Sequence, residues 1–215
     1  MKNLKKPLAC WVTDRSALNL VSGRSPEAVL LARMREAALA GLNWIQVREK
    51  DLETPPLVDL ARSAVEACRN TGTRILVNDR LDVAWASGAA GVHLGERSLP
   101  VAEVTRSVRA RASADFLVGA SCHSLDRAQR AADEGADYVF FGPLFATPSK
   151  ASFGEPQGLA RLEQVCQAIA VPVLAIGGIT EKNAAACIAA GAAGIAAIRL
   201  FQQAPDLSLL LETIR

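Results

Sequence analysis

Four stretches of the chain share one pattern, in which an amphipathic run ends in a small residue and a glycine, and an apolar run follows at once. The glycines are Gly41, Gly88, Gly135 and Gly191, at intervals of 47, 47 and 56 residues. Glycine just past a helix adopts the left-handed conformation that ends the helix, and a strand then begins within a few residues. Each interval accommodates two βα units, so the four copies predict eight units.

Short apolar and β-branched runs, bounded by turn residues, predict eight strands. They are residues 9–14, 44–48, 74–78, 91–94, 116–121, 138–141, 171–176 and 194–199. Amphipathic runs predict helices at residues 25–40, 55–70, 82–87, 100–111, 125–134, 159–169, 181–190 and 206–215. This alternation predicts a single (β/α)8 TIM barrel over residues 1–215, with 1–7 flexible. Functional residues are then expected at the carboxyl ends of the strands.

Composition narrows the functional classes. The net charge is only +2, from 24 basic and 22 acidic residues, which argues against a nucleic-acid partner. Neither a signal peptide nor an apolar run long enough to cross a membrane is evident, so we expect no membrane partner. The five cysteines form no CxxC pair, which is typical of reduced thiols in a cytoplasmic enzyme. Oligomeric state stays open, and a homo-oligomer is one alternative.

The end of the second predicted strand places several polar groups together. Side chains alternate along a strand, so Gln46, Arg48 and Lys50 are expected on one face at the barrel mouth. An amide and two cations there favour an anion such as phosphate or pyrophosphate. The alternative is that these cations form ion pairs with Glu49 or with a neighbouring strand.

Two further segments could complete such a site. Asn78 ends the third strand and Asp79 follows it, where Asp79 either caps the next helix or, beside a phosphate pocket, holds Mg²⁺. The stretch 142–158 is the longest without periodicity, and a long loop after a barrel strand usually covers the active site. Its Thr147, Ser149 and Lys150 would add two hydroxyls and one cation.

Gly177 and Gly178 follow the seventh strand and precede a helix, which is the usual phosphate site of a barrel, although paired glycines also form plain tight turns. Of the two histidines, His93 lies within a strand and could simply be a packed, hydrogen-bonded residue. His123 follows the fifth strand, where a general acid or base could act. Cys122 is expected to point the other way and is not paired with His123 as a nucleophile.

Taken together, seven motifs in order resemble the thiamine-phosphate synthase family and its close relative, the TenI-type thiazole tautomerase, over essentially the whole chain. The motifs are Trp11-Val12-Thr13-Asp14, Gln46-x-Arg48-Glu49-Lys50, Asn78-Asp79-Arg80-x-Asp82, Gly91-Val92-His93-Leu94-Gly95, Ser121-x-His123-Ser124, Gly142-Pro143-x-x-x-Thr147-x-Ser149-Lys150 and Gly177-Gly178-Ile179-Thr180-x-x-Asn183.

The resemblance implies a transferase that joins hydroxymethylpyrimidine diphosphate to a thiazole phosphate, releasing pyrophosphate and giving thiamine phosphate. It implies that Asp79 ligates Mg²⁺ and that Gly178 binds the thiazole phosphate. Groups that hold the diphosphate or contact substrate oxygens are implied at Gln46, Arg48, Lys50, Asn78, Ser121, Thr147, Ser149 and Lys150.

Two positions depart from the synthase pattern. Ser98 stands where the family has a second Mg²⁺-binding aspartate, and Arg199 follows Ile198 where a small hydroxyl residue usually helps to bind phosphate. Arg199 could therefore bind the phosphate more strongly or fill its pocket. The alternatives are a metal-independent thiazole tautomerase that uses His123 to move a proton, and a non-catalytic thiazole- or phosphate-binding regulatory protein.

Overall fold

A computed structural model of the chain describes residues 7–18, 23–111, 115–146 and 155–214. Within these residues, eight parallel strands pair in sequence order, and the first strand pairs with the eighth to close a barrel. They are β1 (Leu8–Val12), β2 (Trp44–Val47), β3 (Arg74–Asn78), β4 (Gly91–Leu94), β5 (Leu117–Cys122), β6 (Tyr138–Phe141), β7 (Val173–Ile176) and β8 (Gly194–Ala197). The predicted (β/α)8 barrel is confirmed. The segment predicted to be flexible, 1–7, lies outside the described residues except for Pro7.

Helices alternate with these strands along the described chain. They are α1 (Pro26–Leu39), α2 (Thr54–Ala67), α3 (Leu81–Ser87), α4 (Val101–Ala110), α5 (Leu125–Asp133), α6 (Gly158–Ala168), α7 (Glu181–Ala189), α8 (Arg199–Gln202) and α9 (Leu207–Thr213). The four predicted helix-ending glycines all have positive φ, between 72° and 95°. Within the described residues, no helix is long and apolar enough to cross a membrane.

The side-chain alternation of the strands separates two apolar layers. Trp44, Leu76, Tyr138, Phe140 and Leu174 belong to the cluster inside the barrel. The intervening strand residues pack outward against the helices. The residue two places beyond an interior apolar residue therefore also faces inward, nearer the mouth.

Three strands end earlier than predicted. β1 stops at Val12 rather than at residue 14, because the Asp14 side chain accepts a hydrogen bond from the Ser16 backbone N–H (3.2 Å) and caps a short 3₁₀ turn. β2 stops at Val47, one residue early. β8 stops at Ala197 because Ile198 has helical dihedrals, so Arg199 begins a one-turn helix instead of ending a strand.

Candidate active site

The floor of the barrel mouth is polar on one side and apolar on the other. By strand alternation, the inward-facing carboxyl-terminal positions are Gln46 (β2), Asn78 (β3), His93 (β4), Ser121 (β5), Ile176 (β7) and Ile198 (just after β8). The two isoleucines pack on the interior apolar cluster. Three of the predicted site residues, Gln46, Asn78 and Ser121, thus lie on the polar side of one floor.

A chain of amide hydrogen bonds orders this polar side. Gln46 Nε2 donates to Asn78 Oδ1 (2.8 Å), and Asn78 Nδ2 donates to Asp79 Oδ2 (3.0 Å). Gln46 is only 2% exposed, yet its Oε1 has no hydrogen-bond partner among the described residues. A buried acceptor without a donor is unfavourable, so Gln46 Oε1 is a polar atom that the described residues leave unsatisfied.

Asp79 is held in an uncommon conformation, with φ 62° in the left-handed region. Its Oδ1 accepts hydrogen bonds from the Gly95 backbone N–H (3.1 Å) and from the Ser98 hydroxyl. The N-cap of the following helix is Arg80, which makes no side-chain capping bond. The helix-cap interpretation of Asp79 is therefore wrong, because its carboxylate bridges the loops after β3 and β4. Ser98, which stands where the family has a second aspartate, contacts this carboxylate directly.

Arg48 and Lys50 come close together beyond the end of β2. The charge of Arg48 is the largest cause that lowers the pKa of Lys50, followed by burial, with a further contribution from Arg97 that opposes the charge of Asp79. Among the described residues, neither Arg48 nor Lys50 forms an ion pair with a carboxylate. The three cations therefore make a positive region beside Asp79. Arg97 was not predicted, although its position just after β4 places it at the mouth.

Glu49 lies between these two cations in the sequence but faces another way. It is 5% exposed, and its carboxylate accepts hydrogen bonds from Thr13 Oγ1 (2.5 Å), the Arg15 backbone N–H (3.0 Å) and the Arg15 guanidinium (3.3 Å). Burial raises the pKa of Glu49, and these hydrogen bonds oppose that effect. The suggested ion pair between Glu49 and Arg48 or Lys50 is thus replaced by one with Arg15.

The two histidines occupy different settings. His93 is 2% exposed and hydrogen-bonded through both ring nitrogens, to Tyr138 Oη and Ser121 Oγ, as its packed interpretation predicted. His123 is half-buried, and its Nδ1 is hydrogen-bonded to the Gly142 carbonyl oxygen. Since a carbonyl oxygen accepts, Nδ1 bears the donated proton. Cys122 is buried in the outer layer, away from His123, as expected.

Gly177 and Gly178 lie between β7 and α7 with φ 93° and 68°. A Cβ at Gly178 would lie 2.7 Å from the Phe145 side chain and 2.9 Å from the Ala146 carbonyl oxygen. Close packing against the loop after β6 therefore requires glycine here. Asn183 stabilises the turn, because its amide accepts from the Thr180 N–H (2.8 Å) and donates to the Gly178 carbonyl oxygen (3.0 Å).

Of the remaining predicted site residues, the structure describes Arg199 alone. Arg199 is exposed at the first position of α8, just beyond Ile198. Thr147, Ser149 and Lys150 lie outside the described residues, so their assignment stays a prediction. Tyr138, the single tyrosine of the chain, was not predicted as part of the site. Its alternation with Phe140 at the start of β6 could have placed it inside the barrel, but not against His93.

These features define a class: a (β/α)8 barrel whose mouth combines a cationic region with a polar floor. Residues 18–201 match the family described as thiamine monophosphate synthase. The chain belongs to that family and is a transferase of thiamine biosynthesis.

Individual relatives agree over most of their length. The chain is 45% identical over 193 residues to a thiamine-phosphate synthase of Methanoculleus marisnigri, covering 90% of this chain and 89% of the relative. It is 44% identical over 195 residues to a protein of Geobacter sulfurreducens described as a putative thiamine-phosphate synthase, covering 91% and 86%. A solved structure of thiamine phosphate pyrophosphorylase from Pyrococcus furiosus superposes with a TM-score of 0.81 and 30% identity, covering 97% of this chain and 93% of that one.

Proposed function

We propose that the mouth of this barrel joins hydroxymethylpyrimidine diphosphate to a thiazole phosphate, releasing pyrophosphate and giving thiamine phosphate. The observation that supports it most is the positive region of Arg48, Lys50 and Arg97 beside Asp79, because Arg48 and Lys50 have no carboxylate partner among the described residues. Cations without a carboxylate, at the carboxyl ends of barrel strands, suit an anionic substrate.

Gln46 favours the pyrimidine end of that substrate. Its Nε2 is occupied by Asn78, and its buried Oε1 is an acceptor without a partner among the described residues. An acceptor suits the amino group of an aminopyrimidine better than a phosphate oxygen. In this arrangement Gln46 Oε1 accepts a hydrogen bond from the amino group of the pyrimidine at the floor of the mouth, while Arg48 and Lys50 hold the diphosphate nearer the rim.

The thiazole phosphate is assigned to the opposite side of the mouth. Gly177 and Gly178 precede α7, a helix of nine residues whose backbone N–H groups favour negative charge at its N-terminus. Arg199 lies on the neighbouring rim, after β8. The apolar floor formed by Ile176 and Ile198 suits the thiazole ring.

Enzymes of this family use Mg²⁺, and the residues present fit an ion shared with the substrate better than one held by the protein alone. Asp79 is a single carboxylate, and no group of three or more histidine, cysteine or acidic residues in the described part of the chain could hold a metal. Mg²⁺ commonly binds one or two carboxylates together with substrate phosphates, so Asp79 can supply the protein ligand. When bound, Mg²⁺ neutralises negative charge on the diphosphate leaving group.

In the proposed reaction, the bond between the pyrimidine methylene carbon and the diphosphate oxygen breaks, and its electron pair leaves with pyrophosphate. The lone pair of the thiazole nitrogen then forms the new C–N bond. Arg48 and Lys50 stabilise the charge that develops on the leaving group, as fixed cations in a partly buried site do most effectively. The predicted contributions of Lys150, Thr147 and Ser149 would act on the same oxygens.

One observation favours a second function, tautomerisation of a thiazole carboxylate phosphate. The Gly142 carbonyl oxygen accepts a hydrogen bond from His123 Nδ1 and so orients this imidazole at the end of β5, where a histidine can move a proton. Such a reaction needs no metal, which is compatible with Ser98 in place of the second aspartate.

The test is incubation of the purified chain with both synthase substrates and Mg²⁺. We expect thiamine phosphate and pyrophosphate in equal amounts, both abolished by a chelator, and unchanged turnover in the matched surface variant Arg106→Ala. Folded protein that yields no product above background would contradict the proposal. Metal-independent conversion of the thiazole tautomer that is lost in His123→Ala would establish the second function instead.

A cytoplasmic location is also proposed, supported by five cysteines that are all free.

A further inference from the structure

Three polar groups are connected through the interior of the barrel below the mouth. Tyr138 Oη lies 3.1 Å from His93 Nδ1, and His93 Nε2 lies 2.9 Å from Ser121 Oγ. Tyr138 and His93 are buried, whereas Ser121 is half-buried at the edge of the mouth. The connection therefore runs from the closed interior to the place where a ligand would bind.

His93 in the middle of this connection is buried, and its two ring nitrogens each meet a hydroxyl group. A neutral imidazole has one N–H donor and one nitrogen acceptor, and the two tautomers give opposite hydrogen-bond directions. In one, Tyr138 donates to Nδ1 and Nε2 donates to Ser121. In the other, both directions are reversed.

The surroundings of Tyr138 select between these tautomers. Its ring is fully buried, with its centroid 4.7 Å from that of Trp44 and 5.4 Å from that of Phe140. Among the described residues, His93 Nδ1 is the one hydrogen-bond partner of the Tyr138 hydroxyl. If Nδ1 carried the proton, the phenolic O–H would be a buried donor without an acceptor, which is unfavourable.

Gly119 makes this placement possible. It faces inward between Leu117 and Ser121 on β5, and a Cβ at this position would overlap the ring and hydroxyl of Tyr138. Any larger residue would displace the phenol from His93. Gly119 and Ser121, two residues apart on the same strand, thus give the tyrosine its space and the histidine its second partner.

On the basis of the function proposed above, we propose that Tyr138 and His93 are positioning residues that aim the hydroxyl proton of Ser121 into the mouth. With Nε2–H donating to Ser121 Oγ, the serine oxygen accepts from inside and its own O–H is directed outward. Ser121 then donates a hydrogen bond to an anionic oxygen of the substrate or of the pyrophosphate product. In the opposite tautomer, the Ser121 hydroxyl would donate its hydrogen bond to His93 Nε2, and only its lone pairs would face an anion.

Nitrogen NMR of the unliganded wild-type chain tests the tautomer without any turnover. The chain has only two histidines, so two pairs of ring nitrogens must be assigned. We expect His93 to be protonated on Nε2 and not on Nδ1. Tyr138→Phe removes the phenolic donor and should shift His93 toward the Nδ1-protonated form. A wild-type His93 protonated on Nδ1 would overturn the proposal, whether or not the chain is a synthase.

A double-mutant cycle tests the consequence for the ligand, with inorganic pyrophosphate as the calorimetric probe. We expect Tyr138→Phe to weaken pyrophosphate binding about fivefold, which is the loss of a well-directed hydrogen bond. The same substitution in a Ser121→Ala background should have almost no effect. An equal loss in both backgrounds would mean that Tyr138 acts only through packing and would refute the positioning role.

Turnover adds a separate readout. Tyr138→Phe should lower kcat/KM for the diphosphate substrate by a similar factor, again only when Ser121 is present. If pyrophosphate binding and the NMR result hold but no synthase turnover occurs, the positioning role stands and the proposed reaction is at fault.

Discussion

Two arginines at the barrel mouth, Arg15 and Arg48, lie in opposite electrostatic settings. Arg15 contacts three carboxylates, those of Glu27 (3.1 Å), Glu49 (3.3 Å) and Asp51 (2.8 Å). In the described part of the chain Arg48 makes no such contact, and its charge is the largest cause that lowers the pKa of Lys50. Residue type therefore does not decide the role of a cation at this rim, whereas the carboxylates around it do.

The difference originates in the end of β2. Arg48 and Glu49 are consecutive and project differently, so Glu49 turns toward Thr13 and the loop after β1. Arg15 completes that contact and neutralises the buried carboxylate. Arg48 and Lys50 lie on the side of the barrel mouth and do not take part in that contact. One acidic residue placed between two basic ones thus separates a structural ion pair from the cationic region of Arg48 and Lys50.

The largest expected effect is the loss of pyrophosphate binding when Arg48 is replaced. Arg48→Ala should weaken pyrophosphate binding roughly ten- to a hundredfold, because a charge-assisted contact to phosphate is worth about 1.5–3 kcal/mol. The melting temperature should change little. Calorimetric titration with pyrophosphate and a thermal scan measure both, with Arg106→Ala on the outer face of α4 as the matched control. A sharp drop in melting temperature with unchanged affinity would show that Arg48 is structural.

Arg15→Ala should show the reverse behaviour. Loss of the guanidinium leaves the buried Glu49 carboxylate with Thr13 and one backbone N–H, at a cost of about 2 kcal/mol. For a chain of this size that corresponds to a fall in melting temperature of roughly 4–8 °C. Pyrophosphate affinity should stay within about twofold. If affinity falls as far as in Arg48→Ala, the comparison between the two arginines fails.

Adding a carboxylate beside Asp79, next to the cationic region of Arg48 and Lys50, sharpens the comparison further. Ser98→Asp places a second acidic group beside Asp79, and we expect Mg²⁺ to bind the substrate-free protein roughly tenfold more tightly. Calorimetry with Mg²⁺ alone measures this. Ser98→Ala is the control, because it releases Asp79 from the serine hydroxyl without adding charge. An equal gain in both variants would attribute the effect to that release.

The smallest expected effect concerns pH. The pKa of Lys50 is lowered mainly by Arg48, so its positive charge is lost at a lower pH than that of an ordinary lysine. Pyrophosphate affinity should therefore decline as pH rises through this lowered pKa. Arg48→Ala removes the main cause and should move the remaining decline to higher pH. Titrations across the alkaline range test the direction, and Lys50→Met should lack this component of the decline.

The fold could be predicted from the sequence because the signals that specify its helices and strands are local. The glycines that end four helices and the short apolar runs after them reflect backbone conformation and burial, which neighbouring residues determine. Strand ends were less accessible. Ile198 continues the apolar run of β8, but Arg199 begins a helical turn in which Phe201 is buried.

The site could be predicted only in part from the sequence, because some of its contacts are not local. Alternation placed Gln46 at the mouth, and the turn after β2 brings Arg48 and Lys50 together there. The contact between Ser98 and Asp79, and those between Tyr138, His93 and Ser121, join residues that are distant in sequence. Such contacts depend on strand register and loop shape, which no single segment specifies.

The closure of the barrel has a consequence for how the chain is made. Leu8 pairs with Gly194, and the Leu8 N–H donates to the Ala193 carbonyl oxygen (2.9 Å), so the two edges of the sheet come from opposite ends of the sequence. During synthesis β1 has one open edge until β8 has emerged. A wholly apolar strand with an open edge is prone to pair with other chains. Contacts at such sequence separation also form slowly, so we expect ring closure to be a late event in folding and the step most exposed to aggregation.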